Sequence, residues 1–469
     1  MEDPLPRPAS GITVPPKHQR PGPKLASSPT IAALGRALAT GGDGALADFW
    51  RHVEAVGTPL VEPAPDSTDE LLVTFVAREG DPAKDVVLLA NRVTEPDAYS
   101  DSVLRRMPGT DLRHLTLRMR SDWRASYALG TPPDEPPAGA LAFVERSLAA
   151  GSGTPRADLE RWSGAQACAR PDPLHRRAGA WQALVTDGSW VELPGVPATT
   201  VSATGAASDA APKTASKRVP NGASVVEGGS GRVASGRLEE TRFKSALLGN
   251  ERSVWTYTSA AGQGDWLLVM TDGEDWARRA LIDAVLDAPI AAGLLPPMTA
   301  VLIDSVDVPT RLRELACSPA FVDALDEELL PRLAAEGLAF APERTIIAGA
   351  SLGGLTAAYA ALRAPHRFGN AYSQSGSLWW PTTRALGEEP AWLNRCFAWA
   401  ERLPVKFRLE VGLHERGMLQ HTRHLRDVLL AKGYDLSYLE FNGGHDRLWW
   451  VASLAEGLAR LMGYSSSTS

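Results

Sequence analysis

The feature that most constrains the fold is an alternation of apolar runs and amphipathic stretches between residues 237 and 463. The apolar runs are DWLLVMTDG, MTAVLIDS, RTIIAGAS, VKFRLEVGL and LSYLEFNGG. The amphipathic stretches between and after them are WARRALIDAVLDA, PAFVDALDEELLPRLAAEG, LGGLTAAYAALRA, MLQHTRHLRDVLLAKG and VASLAEGLARLMG. Continuous apolar strands separated by helices are typical of a parallel sheet that is covered on both faces. The pattern therefore predicts an α/β domain over 237–463.

The region 30–197 has a different pattern. It opens with a helical stretch, and strand candidates then follow one another with turn residues between them: ELLVTFVARE, KDVVLLANRV, LRHLTLRMR and WRASYAL. The run 112–120 alternates apolar and polar residues, as a half-exposed strand does. Because no helices are expected between these strands, we predict that this region forms a smaller, mostly-β, immunoglobulin-like sandwich with a helical start.

Three segments have compositions that do not favour a packed core. Residues 1–29 are rich in proline and lack an apolar run, so we expect a disordered leader and no signal peptide. Residues 198–236 are rich in Ser, Ala, Gly and Thr, which predicts a linker or loop. Residues 464–469 are expected to form a short tail.

Bulk properties exclude several classes of protein. A length of 469 residues suggests two domains, and a net charge of -7 argues against a nucleic-acid binder. The three cysteines are far apart, which speaks against structural zinc or a disulfide framework and favours a reducing compartment. No run reaches the length needed to cross a bilayer. We therefore expect a cytoplasmic protein; its oligomeric state is left open.

The sequence GASLG, centred on Ser351, lies between a strand candidate and a helix candidate. A nucleophile elbow needs this placement, because small flanking residues let a tight turn present the serine hydroxyl at the start of the helix. The alternative is an ordinary serine in a glycine-rich turn. The context favours Ser351 as a nucleophile.

A hydrolase of this class has its acid and its histidine after the serine, in that order. His445 follows the last strand candidate and two glycines that are expected to free the loop. Glu415 follows the preceding strand candidate and is the expected acid, while Glu410 lies within that strand and Asp446 adjoins the histidine and is expected to point elsewhere. A Ser–His pair without a strong third member is the alternative.

Two backbone N–H groups are expected to stabilise an oxyanion. One is that of Leu352, at the start of the helix after the serine. The other is that of Glu274, which follows an earlier central strand and Gly273. An ordinary turn at the end of that strand is the alternative for Glu274.

Cationic and aromatic residues follow the strand candidates as well. Arg311 and Arg313 are candidates for holding an anionic substrate, with a solvated loop as the alternative. Trp379 and Trp380 offer a surface for ring-bearing ligands, although packing in the core is the alternative. Trp449 and Trp450 after His445, and His414, His421 and His424, are weaker signals, and no metal site is expected from these histidines.

These residues carry a family likeness. The runs AVLIDSVD, TRLRELACSPAFVDALDEELLPRL, GASLGGLTAAYAALRAPHRFGNAYSQSGSLWWP and GGHDRLWW resemble bacterial enterochelin (ferric enterobactin) esterases. In the first half the likeness rests on MPGTDLRHLTLRMRSDWRASYAL and RPDPLHR, and it covers about 70–463. The linker and the residue after Ser351 depart from the family pattern, which leaves substrate preference open.

The resemblance implies an esterase-D-like α/β-hydrolase domain behind a β-sandwich. It implies cytoplasmic hydrolysis of a catecholate siderophore, a cyclic trilactone of acylated serines, with Ser351 as nucleophile, His445 as base and Glu415 as acid. Arg311 matches an arginine of the family. Iron is expected only as part of the substrate, and no cofactor is expected. Two other functions stay open: an esterase acting on carbohydrate or aromatic esters, and a siderophore-binding protein without activity.

Overall fold

The fold is taken from a computed structural model of the chain. It describes residues 3–7, 24–42, 44–78, 80–149, 152–176, 188–197, 235–278, 282–381 and 391–464. The predicted linker 198–236 and tail 464–469 lie almost wholly outside the described residues. No described helix has both the length and the apolar character needed to cross a membrane.

The first part of the chain forms two antiparallel sheets. Its strands are β1 (Leu60–Pro63), β2 (Glu70–Arg78), β3 (Val87–Ala90), β4 (Arg105–Arg106), β5 (Leu112–Arg120), β6 (Arg124–Gly130) and β7 (Ser189–Glu192). One sheet has the order β1-β2-β5-β4 and the other the order β3-β6-β7. Phe75 and Leu117 of the first sheet share a core with Leu88 and Tyr127 of the second. The two sheets therefore pack as a sandwich, as predicted.

This sandwich carries more helix than the sequence predicted. Its helices are α1 (Pro29–Ala39), α2 (Ala45–Val56), α3 (Tyr99–Ser102), α4 (Ala138–Ala149) and α5 (Arg156–Ala167). The helical start was expected, but α4 and α5 lie between strands where no helix was expected. Trp162 of α5 packs on Val87 and Tyr99, which explains why that helix is stable at the side of the sheet.

The second part of the chain is built on an eight-stranded sheet. Its strands are β8 (Arg237–Ser245), β9 (Asn250–Thr258), β10 (Trp266–Met270), β11 (Met298–Ile303), β12 (Thr345–Ala350), β13 (Asn370–Gln374), β14 (Lys406–Gly412) and β15 (Asp435–Phe441). Their order is β15-β14-β13-β12-β10-β11-β9-β8. Strands β10 to β15 pair in parallel, whereas β9 pairs antiparallel with β11 and with β8.

Helices cover both faces of this sheet. They are α6 (Gly273–Arg278), α7 (Ile282–Ala291), α8 (Val308–Glu314), α9 (Pro319–Asp323), α10 (Leu330–Ala335), α11 (Leu352–Arg363), α12 (Trp392–Trp399), α13 (Gly417–Ala431) and α14 (Arg447–Met462). Alternate residues of a strand enter different cores: Leu267 and Val269 lie in one, and Leu268 and Met270 in the other. The prediction of an α/β domain preceded by a smaller β domain is confirmed.

The prediction of a disordered leader is wrong for the described residues near the start of the chain. Arg7 donates through Nε to the carbonyl of Cys317 at 2.8 Å, and its guanidinium lies 5.4 Å from the ring of Trp380. The hydroxyl of Tyr359 donates to Asp3 at 3.1 Å. Composition missed these contacts because their partners lie more than 300 positions away in the chain.

Candidate active site

Ser351 lies at the junction between strand β12 and helix α11. It has φ 60° and ψ -119°, a backbone conformation that costs energy for any residue other than glycine. The strand before it is buried along its whole length, and the helix begins at the next residue. The side chain of Ser351 is half-buried, and its hydroxyl lies 3.5 Å from that of Ser377. The structure thus has the strained strand-to-helix turn that the sequence predicted.

The glycines on either side of this turn are needed for close packing. A Cβ atom at Gly349 would lie 2.6 Å from the backbone carbonyl carbon of Gly353. A Cβ atom at Gly353 would lie 2.1 Å from Oγ1 of Thr271, at the end of the neighbouring strand. Strand, turn and helix can meet this closely only without side chains at these two positions.

The structure brings the predicted acid and histidine together. Nδ1 of His445 lies 2.6 Å from Oε2 of Glu415. Glu415 follows strand β14 and is buried, while His445 follows strand β15 and keeps 19% of its side chain exposed. The carboxyl ends of parallel strands lie at one edge of the sheet, and Ser351 follows β12 at that same edge. Serine, acid and histidine therefore share one edge.

The other two carboxylates near the histidine in sequence have different partners. Glu410 is buried within β14, where it accepts hydrogen bonds from Tyr372 at 2.8 Å and Ser453 at 2.6 Å. Asp446 accepts from the N–H of Leu448 at 3.0 Å and so caps helix α14. Its other oxygen accepts from the N–H of Ser126, and burial raises its pKa above the ordinary value. As expected, Asp446 points away from the imidazole.

Two further side chains hold the acid and the histidine: Ser375, which sequence reasoning missed, and Trp450, which it named only as a weaker signal. The hydroxyl of Ser375 donates to Oε1 of Glu415 at 2.6 Å and accepts from Nε1 of Trp450 at 2.9 Å. The ring of Trp450 in turn packs edge-on against His445, with 4.8 Å between the ring centres. Ser375 directly follows strand β13, which pairs with the strand β12 that precedes Ser351, and this position in the sequence was the available signal.

The two expected oxyanion donors lie at neighbouring helix starts. Leu352 is the first residue of α11 and Glu274 the second of α6, so neither N–H has an acceptor within its helix. Strands β12 and β10, which precede these helices, are adjacent and parallel. The Glu274 side chain accepts from the N–H of Ser305 at 3.0 Å, and burial raises its pKa to about 7.

The two candidate arginines have different surroundings. Arg311 donates through Nε and Nη2 to both carboxylate oxygens of Asp272, at 2.5 and 2.8 Å, and keeps 26% of its side chain exposed. Asp272 follows β10, so the guanidinium is anchored beside the start of helix α6. Arg313 is 64% exposed and donates to Thr310 at 3.2 Å. Arg311 is held rigidly near the site, whereas Arg313 lies on the solvated surface of its helix.

The prediction that Trp379 and Trp380 offer a surface to substrate is wrong for this structure. Their exposures are 3% and 0%, and both belong to the core on one face of the sheet. The ring of Trp380 packs edge-on against Trp392 at 5.8 Å. The apolar environment of the core, rather than a ligand, accounts for these tryptophans.

The candidate histidines other than His445 have different surroundings. Nε2 of His414 lies 2.9 Å from Oδ1 of Asn442, and the backbone carbonyl of His421 accepts from Asn394 at 2.9 Å. Among the described residues, no group of three or more His, Cys, Asp or Glu side chains is arranged to hold a metal ion.

Two family models match the chain, one in each part. The model for the N-terminal domain of enterochelin esterases matches residues 72–202, and a model for putative esterases matches residues 245–461. The first match falls on the sandwich, and the second covers the eight-stranded sheet with Ser351, Glu415 and His445.

Characterised relatives match over most of the chain. An iron(III) enterobactin esterase of Dickeya dadantii is 32% identical over 449 residues, which are 88% of this chain and 92% of the relative. An iron(III) salmochelin esterase of Escherichia coli is 28% identical over 92% of this chain and 98% of its own length. The crystal structure of a ferric enterobactin esterase from Salmonella typhimurium has a TM-score of 0.68, with 26% identity over 89% of this chain and 98% of that one.

Proposed function

Because the chain belongs to the enterochelin esterase family, we propose that it hydrolyses the ester bonds of catecholate siderophores with Ser351 as the nucleophile. The observation that carries this proposal is the pairing of His445 with Glu415 at 2.6 Å, at the sheet edge where Ser351 occupies a strained turn. Relatives named as enterobactin and salmochelin esterases match over about nine tenths of the chain. The protein is therefore a carboxylic-ester hydrolase.

In the proposed acyl-transfer reaction each of the three residues has one role. The Ser351 hydroxyl attacks the ester carbonyl while Nε2 of His445 takes its proton. Glu415, bound to Nδ1–H, keeps the imidazole in the tautomer whose Nε2 can accept a proton and stabilises the imidazolium that forms. The protonated imidazole then gives its proton to the serine oxygen of the siderophore as its bond to the carbonyl carbon breaks, and that oxygen leaves as a hydroxyl. Water, activated by the same imidazole, releases the acyl group from Ser351.

We propose the N–H groups of Leu352 and Glu274 as the donors that stabilise the oxyanion. Backbone donors fixed at helix starts need no reorganisation as charge develops on the carbonyl oxygen. Arg311 is the proposed contact for the anionic catecholates, because Asp272 fixes its guanidinium near the same edge of the sheet. A guanidinium anchored on one side presents its remaining N–H groups in a defined direction.

The finer identity of the substrate is also part of the proposal. We propose the ferric complex as the form that is bound, since the relatives are named for iron(III) siderophores. Iron then enters only as a component of the substrate, because a serine, an imidazole and a carboxylate supply acyl transfer without a resident cofactor. We place the reaction in the cytoplasm, where the unpaired thiols of Cys168, Cys317 and Cys396 would remain reduced.

Incubation of the purified protein with ferric enterobactin, followed by mass spectrometry of the products, tests the proposal. We expect linear serine esters, and Ser351→Ala should lower the rate by at least about 10³-fold because it removes the nucleophile. The melting temperature of Ser351→Ala should stay close to that of the parent protein, since alanine occupies the same strained turn.

A fluorophosphonate probe supplies the second measurement, because it reacts only with an activated serine. Labelling should occur at Ser351 and disappear in Ser351→Ala. A protein that binds ferric enterobactin but neither hydrolyses it nor reacts with the probe would be a binding protein, and the proposal would be wrong. Cleavage of a feruloylated sugar in preference to the trilactone would likewise overturn it.

A further inference from the structure

The backbone around His445 is held by the β-sandwich. Nδ2 of Asn91 donates to the carbonyl oxygen of His445 at 2.9 Å. The N–H of Ser126 donates to Oδ2 of Asp446 at 2.5 Å. The two donors are themselves joined, because the N–H of Asn91 donates to the carbonyl of Ser126 at 3.1 Å. One corner of the sandwich thus binds two consecutive residues of the loop 442–446, between β15 and α14, which we call the histidine loop.

The loop approaches this corner at backbone contact. A Cβ atom at Gly444 would lie 2.5 Å from Oδ1 of Asn91 and 2.6 Å from its backbone oxygen. The expectation that Gly443 and Gly444 free the loop is therefore wrong. Gly444 serves close packing, and the loop it belongs to is fixed against Asn91.

A second group of contacts extends the same interface along the chain. Nε1 of Trp449 donates to the carbonyl of Arg124 at 2.9 Å, and the Arg124 guanidinium lies 4.6 Å from the Trp449 ring. Nδ2 of Asn442 donates to Oδ1 of Asp122 at 2.7 Å. The sandwich therefore contacts the histidine loop both before and after His445.

The imidazole needs two kinds of support. Glu415 fixes the rotation of the ring through Nδ1, but the ring also moves with its own backbone. The hydrogen bond from Asn91 holds the carbonyl of that same residue, which limits movement of the backbone. A misplacement of about 1 Å in a catalytic group costs about 10²-fold in rate, so both supports matter for proton transfer.

We propose that Asn91 is a positioning residue for the reaction, through which the sandwich sets the place of the His445 imidazole. This inference rests on the function proposed above. It assigns the sandwich a direct part in catalysis by the other domain, without any contact between Asn91 and the ester.

The test compares Asn91→Leu and Asn91→Ala with the parent protein. Leucine has the same number and branching of side-chain heavy atoms as asparagine but no donor, so it removes the hydrogen bond without leaving a cavity. We expect kcat to fall about 10- to 100-fold in both variants with KM within about threefold, since the ester itself is not contacted. The rate of fluorophosphonate labelling at Ser351 should fall by a similar factor.

A spectroscopic measurement makes the test independent of turnover. The proton between Nδ1 of His445 and Oε2 of Glu415, 2.6 Å apart, should give a low-field proton resonance that is absent in Glu415→Gln. We expect this resonance to shift or broaden in the Asn91 variants. If the parent protein proved inactive on siderophores, the proposed function would fail while the resonance still tested Asn91.

Thr116→Val is the matched control. The Thr116 hydroxyl pairs with that of Thr74 at 3.0 Å between strands β5 and β2, in the sheet that contains neither Asn91 nor Ser126. Thr116→Val should lower the stability of the sandwich and leave kcat and the low-field resonance unchanged. Asn91 variants that behave like Thr116→Val, or that raise KM without lowering kcat, would overturn the positioning role.

Discussion

Glu415 divides its two carboxylate oxygens between two tasks. Oε2 binds the imidazole of His445, while Oε1 accepts from the Ser375 hydroxyl and from the N–H of Gly412 at 2.7 Å. The second set of hydrogen bonds holds the carboxylate still, so that the first can set the imidazole tautomer. A buried carboxylate without those donors would lose part of its stabilisation as an anion.

Replacing Glu415 by glutamine keeps the shape of the side chain and removes its charge. We expect Glu415→Gln to lower kcat about 10³- to 10⁴-fold, because the imidazole loses both its orienting acceptor and the stabilisation of its charged form. Ser375→Ala is the matched control, since it removes one neutral donor to the same carboxylate, and it should cost roughly 10-fold or less. Steady-state kinetics on a siderophore trilactone measures both. A loss of only about 10-fold or less in Glu415→Gln would argue for a Ser–His dyad.

The raised pKa of Glu274 predicts how the stability of the protein depends on pH. Burial raises its pKa to about 7, so the folded protein holds this proton more tightly than the unfolded chain does. Ionisation of Glu274 therefore opposes folding, and its contribution to stability is lost as pH rises from about 4.5 to about 7. Glu274→Gln should remove that part of the decline, as measured by melting temperatures at pH 5 and pH 8. Parallel pH curves for Glu274→Gln and for the exposed Glu135→Gln would contradict this account.

At the scale of secondary structure, the turn at Ser351 depends on its glycines. Gly349→Ala would place a methyl group 2.6 Å from the backbone of Gly353, which cannot move away without shifting helix α11. We expect a loss of about 1–3 kcal/mol in unfolding free energy and a loss of activity, because the nucleophile moves with the helix. Circular dichroism melts and fluorophosphonate labelling check the two effects.

Gly139→Ala provides the comparison for that substitution. Gly139 lies in helix α4 with open space around the position of a Cβ, so alanine should stabilise the protein by about 0.5–1 kcal/mol. A neutral Gly349→Ala variant would mean that the turn is not closely packed.

The sequence predicted the central strands well for a physical reason. Strands β10, β11 and β12 are buried on both faces, so their apolar runs are continuous and readable. Strand β8 was missed because it is exposed along most of its length and carries mixed charges. Strand β13 was missed because it buries polar residues: the Tyr372 hydroxyl and Nε2 of Gln374 donate to partners distant in sequence.

At the scale of the whole molecule, Arg124 links the interior of the sandwich to the catalytic domain. Its buried side chain pairs with Glu192 at 2.6 Å and lies over the Trp449 ring. Arg124→Ala should lower the unfolding free energy by about 3 kcal/mol, since it breaks an ion pair whose guanidinium is fully buried and also removes an interdomain contact. We expect calorimetry to resolve one transition in the parent protein and two in the variant.

The control for that prediction is the ion pair at the edge of the same interface. Arg416 and Asp97 lie 3.2 Å apart with Asp97 partly exposed, so Asp97→Ala should change stability by less than about 1 kcal/mol. A single unshifted transition in Arg124→Ala would show that the two domains are not coupled through this residue.

The site residues that come from one domain could be predicted from the sequence. The contact between the two domains at His445 could not. Ser351, Glu415 and His445 follow strands of one sheet, and strand order alone placed them at one edge. Asn91 lies 354 positions before His445, and nothing in its local sequence marks it as a partner of the loop. Trp379 and Trp380 were misread because proximity in sequence to a site does not reveal which way a side chain points.

The contacts of residues 3–7 also bear on how the chain is made. The carbonyl of Pro6 accepts from Nε1 of Trp392 at 2.9 Å, and Leu5 packs on the core that contains this tryptophan. A ribosome that adds about 5–20 residues per second would take roughly 20–80 s to reach Trp392 after these residues emerge. Residues 3–7 must therefore wait, undocked, until the 386 positions that separate Pro6 from Trp392 have been synthesised. Their docking thus comes after the strand and the helix on either side of Ser351 have been translated.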